Sequence, residues 1–136
     1  MLFALSVHLF GKFKSDQLYS RIKVDIEAIG NICKSLPSVT EDIKWGNDLC
    51  FMIGGKMFCV TTMDSPLKVS VKVTDEEFGE LTNLPGIIPA AYVARYKWIL
   101  VENVYVFSEK KWEYYITQSY NLVKAKLSKK ELEGLV

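Results

Sequence analysis

Cys50, Met52, Met57 and Cys59 are the side chains in this sequence best suited to soft-ligand chemistry. They flank Gly54-Gly55, a two-residue primed-turn signal between the β-rich runs Leu49–Ile53 and Lys56–Thr62. An unbroken register across that turn sets Ile53 opposite Lys56, Met52 opposite Met57, Phe51 opposite Phe58 and Cys50 opposite Cys59. Alternation then puts the two thiols and two thioethers on one face, with Leu49, Phe51, Ile53, Phe58 and Val60 on the other. Such a set is a candidate ligand or redox site for a soft metal. The plainer reading is a polarisable core face, because free Cys and Met pack well. That reading is favoured, and no metal or cofactor is assigned.

A second constellation interleaves cations with aromatics. Tyr92, Arg95, Tyr96, Lys97 and Trp98 fall within seven residues, and such mixtures contact phosphate and stack on bases. Lys44, Lys56, Lys68 and Lys72 fall on the wet sides of nearby strands. Together Lys44, Lys56, Lys68, Lys72, Arg95, Tyr96 and Lys97 form a candidate nucleic-acid surface. The competing account is that Tyr96 and Trp98 are core or rim residues and that the lysines guard the sheet against edge pairing.

Catalytic chemistry has little to stand on. Glu41, Asp42 and Asp48 are acids near a turn, with no sign of a shared cleft. Asp75, Glu76 and Glu77 suit the positive end of a helix. The one histidine, His8, lies in an N-terminal extension. No Walker A, GxGxxG, GxSxG or HExxH pattern occurs. Ser119 reads as a packing residue beside Tyr120, and no catalytic residue is assigned.

The elements that must position these groups follow from periodicity. Asp25 is the expected N-cap of a helix with Ile26, Ile29, Cys33 and Leu36 on one side, stopped at Pro37. Strands are expected at Glu41–Trp45, on both sides of Gly54-Gly55, at Lys68–Val73 and at Trp98–Val101, the last continuing into Tyr105–Phe107. Met63–Leu67 and Leu84–Pro89 read as loops. Thr74 and Glu77 have capping-box spacing at the head of a second helix. Ser108 caps a third, in which Trp112, Ile116, Ser119, Tyr120, Val123 and Leu127 share a face. Ser128–Val136 reads as a fraying tail. Short turns between successive strands make the sheet antiparallel, giving an α+β two-layer sandwich with the helices on one face.

Bulk properties narrow the partners. The 136 residues make one ordinary domain, and 49% apolar with 24% charged residues is a globular composition. No apolar run approaches the ~20 residues that span a bilayer, so no membrane association is expected. Met1–Phe10 is apolar like a secretion signal. It has no preceding Lys or Arg and no small-x-small site after it, so a short extra strand or helix is expected there. Net charge is +1, and Arg21 and Arg95 are the only arginines, which speaks against binding nucleic acid by charge alone. Three cysteines without CxxC spacing fit a reducing, cytoplasmic setting.

Four segments resemble the MmcQ/YjbR family: LPSVTEDIKWG (Leu36–Gly46), GGKMFCV (Gly54–Val60), YKWILVE (Tyr96–Glu102) and QSYNLVKAKL (Gln118–Leu127). The likeness divides the chain into an extension at 1–24, a domain at 25–130 and a tail at 131–136. It implies a fold similar to that of CyaY, the bacterial frataxin homologue, likened to a "double wing" DNA-binding architecture. By that analogy the protein is a non-enzymatic DNA-binding module. Many relatives carry a His-x-Asn-Lys-like stretch before the Trp strand, where this chain has Tyr92–Lys97, so no histidine role carries over. Asp25 and Glu27 do not make the acidic ridge that frataxin-like iron handling needs. The alternative is an oligomeric interaction or small-ligand domain. It arises because the hairpin is apolar on both faces while the helices cover one, so self-association is expected.

Overall fold

The computed structural model describes residues 27–135. Asp25, Ile26, His8 and the Met1–Phe10 run lie outside that range. Helix α1 occupies 27–35, burying Ile29 and Cys33. Pro37 follows its end, and Ser38, at φ 62, turns the chain into β1. Then come β1 (Val39–Lys44), β2 (Asp48–Ile53), β3 (Lys56–Thr62), β4 (Val69–Lys72), α2 (Asp75–Leu81), β5 (Ile87–Pro89), β6 (Trp98–Val101), α3 (Glu109–Lys124) and α4 (Lys129–Glu133). Short 3-10 turns occupy Ala94–Tyr96 and Val104–Val106. The six strands form one antiparallel sheet in the order β1-β2-β3-β4-β6-β5. Phe51, Ile53, Val69, Val71, Ile99 and Val101 point from the sheet into a core completed by Trp112, Ile116, Tyr120 and Val123 of α3. This is the α+β two-layer arrangement the periodicity predicts. No helix among the described residues is long and apolar enough to cross a membrane.

Both expected caps form. Thr74 Oγ1 accepts the Glu77 N–H at 3.2 Å, and Glu77 Oε1 accepts the Thr74 N–H at 3.2 Å. Ser108 Oγ accepts the Lys111 N–H at 3.2 Å. Three expectations are corrected. The Leu84–Pro89 loop contains β5, a three-residue edge strand whose Pro89 is tolerated because it closes the sheet. Tyr105 does not extend β6 but lies in a 3-10 turn, opened by Asn103 Oδ1 accepting the Tyr105 N–H at 3.1 Å. The tail does not fray from Ser128. Ser128 and Glu131 form a second capping box that starts α4.

The Gly54-Gly55 hairpin forms with both glycines at positive φ, 59° and 80°. Gly54 has a second reason to lack a side chain: a Cβ there would lie 2.8 Å from Leu127 Cδ1. The register holds for Ile53↔Lys56 and Met52↔Met57, then slips. Phe51 pairs with Cys59 and Cys50 with Val60, leaving Phe58 as the extra residue of a β-bulge. The expected Phe51–Phe58 and Cys50–Cys59 pairs therefore do not exist.

A hydroxyl sits at that slip. Ser119 Oγ donates to Phe58 O at 2.6 Å and accepts the Lys72 N–H at 2.9 Å. Cys59 pairs with Val71, so Phe58 and Lys72 are the next neighbours along the β3–β4 ladder. The serine bridges them where a direct bond would run. Ser119 is fully buried, so the packing role expected for it becomes a hydrogen-bonding one. Tyr120 beside it stacks edge-on against Phe58 at 5.3 Å and donates to Pro37 O at 2.6 Å.

Ser119→Ala orphans a buried N–H and a buried C=O. Urea unfolding should show a loss of about 2 kcal/mol or more. Ser35→Ala, which removes an exposed bond to Ile32 O, should stay within about 0.5 kcal/mol of the parent. Equal effects for the two would remove the bridge from the account.

Candidate interaction surface

The bulge decides which side chains face away from the helices. One row crosses the entire sheet on that side: Asp42, Cys50, Val60, Ser70, Leu100 and Ile88, each opposite the next. None of the six belongs to the helix-side core. Met52 and Met57 pair on the same face, nearer the Gly54-Gly55 turn. Val60, Met52, Met57 and Leu100 are half-buried, and Ile88 is 41% exposed. No described helix covers them. The face is thus aliphatic and thioether in its middle, bordered by Asp42 and Lys44 on β1.

The proposed thiol–thioether set is split by the same bulge. Cys50, Met52 and Met57 stay on the helix-free face, while Cys59 turns into the core beside Cys33 of α1. A hydrogen bond with the Cys33 thiol and full burial hold Cys59 well above the ordinary thiol range. Burial also raises Cys50, outweighing the pull of Lys44. All three cysteines are free and buried. Among the described residues no cluster of His, Cys, Asp or Glu could hold a metal ion. Cys33 was visible in sequence as part of the α1 stripe, but its contact with Cys59 depends on the slipped register.

The seven candidate nucleic-acid residues are dispersed. Lys56 projects on the helix side and bridges Glu131 of α4 at 3.9 Å. Lys44 lies opposite Asp48, and Lys68 pairs with Glu102 at 3.8 Å; both are at the end of the sheet away from the Gly54-Gly55 turn. At the other end the structure brings three together. Lys72 Nζ donates to the Tyr96 carbonyl, and the Arg95 guanidinium lies 4.7 Å over the Tyr96 ring. Burial, then Lys126, lower the Lys72 ammonium, with Lys97 adding to the effect and Asp75 opposing it. Lys97 itself turns toward α2, 5.1 Å from the Phe78 ring. Nearby Tyr92 is 99% exposed with φ 68, a left-handed backbone uncommon for tyrosine. Trp98 is 8% exposed and so unavailable for stacking.

The three acids do not form one cluster. Glu41 lies opposite Phe51 and faces away from the other two, while Asp42, opposite Cys50, and Asp48, opposite Lys44, share the helix-free face, where both act on the Cys50 thiol. Lys44 lies on that same face beside them.

The segments that build this sheet also carry the chain's likeness to known proteins. The YjbR family model matches residues 34–122, from the end of α1 to most of α3. The chain belongs to the YjbR family. The fold is similar to the crystal structure of Deinococcus radiodurans protein DR2400, a DUF419 domain. The TM-score is 0.68 at 26% identity, covering 78% of this chain and 85% of that one. A Pseudomonas syringae structural-genomics protein shares the fold at a TM-score of 0.51 and 21% identity, covering 62% of this chain and 86% of that one. No curated protein matches. YjbR membership thus supplies a fold and leaves the chemistry to be argued from the surface.

The buried groups of this YjbR domain predict alkaline sensitivity. Cys50, Cys59, Tyr115 and Tyr120 all hold their protons more tightly than ordinary thiols and phenols; burial is the main cause except at Cys59. A raised folded value keeps the proton on the native state after the unfolded chain has lost it. Their contribution is therefore complete below the unfolded values, 9.0 for thiols and 10.0 for phenols, and is lost as pH rises through the folded ones. Urea midpoints should fall from about pH 9 upward. All three thiols should resist iodoacetamide until the protein is unfolded. A midpoint that rises above pH ~9, or fast native labelling, contradicts this account.

Proposed function

We propose that this YjbR protein is a non-enzymatic interaction module that docks an apolar protein surface, in the first instance a second copy of itself, against the helix-free face. The supporting observation is the cross-sheet row Asp42-Cys50-Val60-Ser70-Leu100-Ile88, with Met52 and Met57 beside it. Aliphatic and thioether groups there meet apolar side chains well, and they lack the aromatic platforms on which bases stack. Two cations of the same sheet are already opposed by acids: Lys44 by Asp48 and Lys68 by Glu102. Three buried, unpaired cysteines support a reducing, cytoplasmic working environment.

Light scattering across a concentration series should show a dimer whose population rises with protein. Val60→Lys places a charge in the middle of the row at a half-buried position. It should shift the chain to monomer with little change in thermal midpoint. A parent protein that is monomeric throughout rejects self-association.

DNA binding is the second reading, favoured by the corner where Arg95 stacks on exposed Tyr96 above Lys72. The double-wing likeness points the same way. The contact would be small, a few phosphates and one or two stacked bases. Fluorescence anisotropy with mixed single- and double-stranded oligonucleotides in about 50 mM salt should then detect weak, salt-sensitive binding. Arg95→Glu should abolish it. No change in anisotropy up to ~100 μM protein rules the reading out.

A further inference from the structure

The helix-side core is open at the end of the sheet away from the Gly54-Gly55 turn. A groove of about 640 Å³ lies there. Leu49, Phe51 and Thr61 form its floor, Ile29 and Gly30 of α1 form one wall, and Leu67 and Val104 form the other. Ile29 and Phe51 are core residues, so the groove leads straight onto the core. Its rim is apolar as well. Met63 lines it and is 54% exposed. Ile43, paired with Leu49 on the same face, is 53% exposed. Exposed apolar groups around an open apolar groove mark a surface that something covers.

The start of the described chain points to the occupant. Helix α1 begins at residue 27, and Ile29 and Gly30 in its first turn are the groove wall. The preceding 26 residues therefore join the domain beside the groove. Their first ten, Met1–Phe10, hold eight apolar residues, Ser6 and His8, with no Asp, Glu, Lys or Arg. An uncharged run of this kind gains from any apolar surface it can reach. Residues 11–26 span up to about 50 Å when extended, so the groove is within reach. The tether also holds the run at an effective concentration of roughly millimolar, so weak intrinsic contacts suffice.

Charge at the rim agrees. Asp64 lines the groove and is exposed. Its carboxylate accepts from Asn47 Nδ2, a neutral amide, and among the described residues no cation pairs with it. Glu102 on the same rim is already paired with Lys68 at 3.8 Å. Lys12 and Lys14 follow closely on the apolar run. A run seated in the groove brings them to Asp64. The helix-free face offers no such match, because Asp42 there has Lys44 beside it.

We infer that this groove is the docking site of the chain's own Met1–Phe10 run, which covers the open end of the core with Lys12 and Lys14 beside Asp64. The site is on the opposite side of the sheet from the interaction face and does not depend on it.

Photo-crosslinking of the full chain, with p-benzoylphenylalanine in place of Phe3, tests the inference. Methionines report the side of the sheet: Met63 stands at the groove, and Met52 and Met57 stand on the helix-free face. Adducts should map to Met63 and the groove residues around it, within one chain, at a yield independent of protein concentration. Asp64→Lys should lower that yield about threefold. Leu5→Asp combined with Leu9→Asp should lower it about tenfold or more, with the far-UV circular dichroism of the folded domain retained. Three results overturn the site. The first is adducts at Met52 or Met57, which put the run on the helix-free face. The second is adducts only between chains, which make a second copy the occupant. The third is no adduct, or a groove adduct whose yield neither variant lowers.

Discussion

The constraint on which the sheet depends is one buried hydroxyl between two strands. Ser119 reaches from α3 into the β3–β4 ladder and relays a hydrogen bond from the Lys72 N–H to the Phe58 carbonyl. The bond ties the helix layer to the sheet at a point where apolar contact alone could slide. It also accommodates the extra residue in β3. Without a bridge, the bulge would leave a donor and an acceptor buried and unpaired, a cost comparable to a sizeable share of a small domain's stability. Tyr120 extends the tie, since its ring meets Phe58 and its hydroxyl holds the chain just after α1. Two successive residues of one helix thereby fix β3, β4 and the entry to β1.

The slip re-sorts the hairpin. Beyond Phe58, every β3 side chain changes faces relative to an unbroken ladder. Cys59 enters the core to meet Cys33, and Val60 comes out to the helix-free face between Cys50 and Ser70. This one event dissolves the four-ligand sulfur site that regular alternation suggests. It also creates the continuous row on which the interaction surface rests. An insertion of one residue is a local change in chain count with a consequence across the whole sheet.

The parts legible in sequence are those governed by neighbouring residues. The Gly54-Gly55 turn, the Thr74 and Ser108 caps and the buried stripe of α3 all follow from local spacing and stand in the structure. The bulge was not legible, because nothing in the spacing of the two β-rich runs marks Phe58 as an extra residue, and Ser119, which bonds the Phe58 carbonyl from 61 residues away, looks like ordinary helix packing. β5 was hidden for a related reason. Three residues ending in proline carry no strand period of their own and are extended only because β6 pairs with them. The α4 capping box was present as Ser128-Lys129-Lys130-Glu131 and was outweighed by the tail's charge. The basic surface was legible residue by residue but not as a surface, since the strand faces and ends that separate Lys56, Lys68 and Lys72 depend on pairing.

The two edges of the sheet explain why contact with another molecule falls to the face. At one edge, β1 carries Glu41, Asp42 and Lys44 along a largely exposed strand, and charges of this kind discourage strand addition. At the other, β5 is three residues long and ends at Pro89, which has no N–H to offer. Neither edge is a template for a further strand. The helix side is occupied by α1, α2 and α3 over the core. What remains is the helix-free face, where Val60, Leu100 and Ile88 are backed by a rigid sheet and no described element lies over them. A flat, pre-formed surface of that kind loses little conformational entropy when it is covered. Its partner therefore needs only modest apolar area to hold it, provided that it brings no unpaired charge opposite the row.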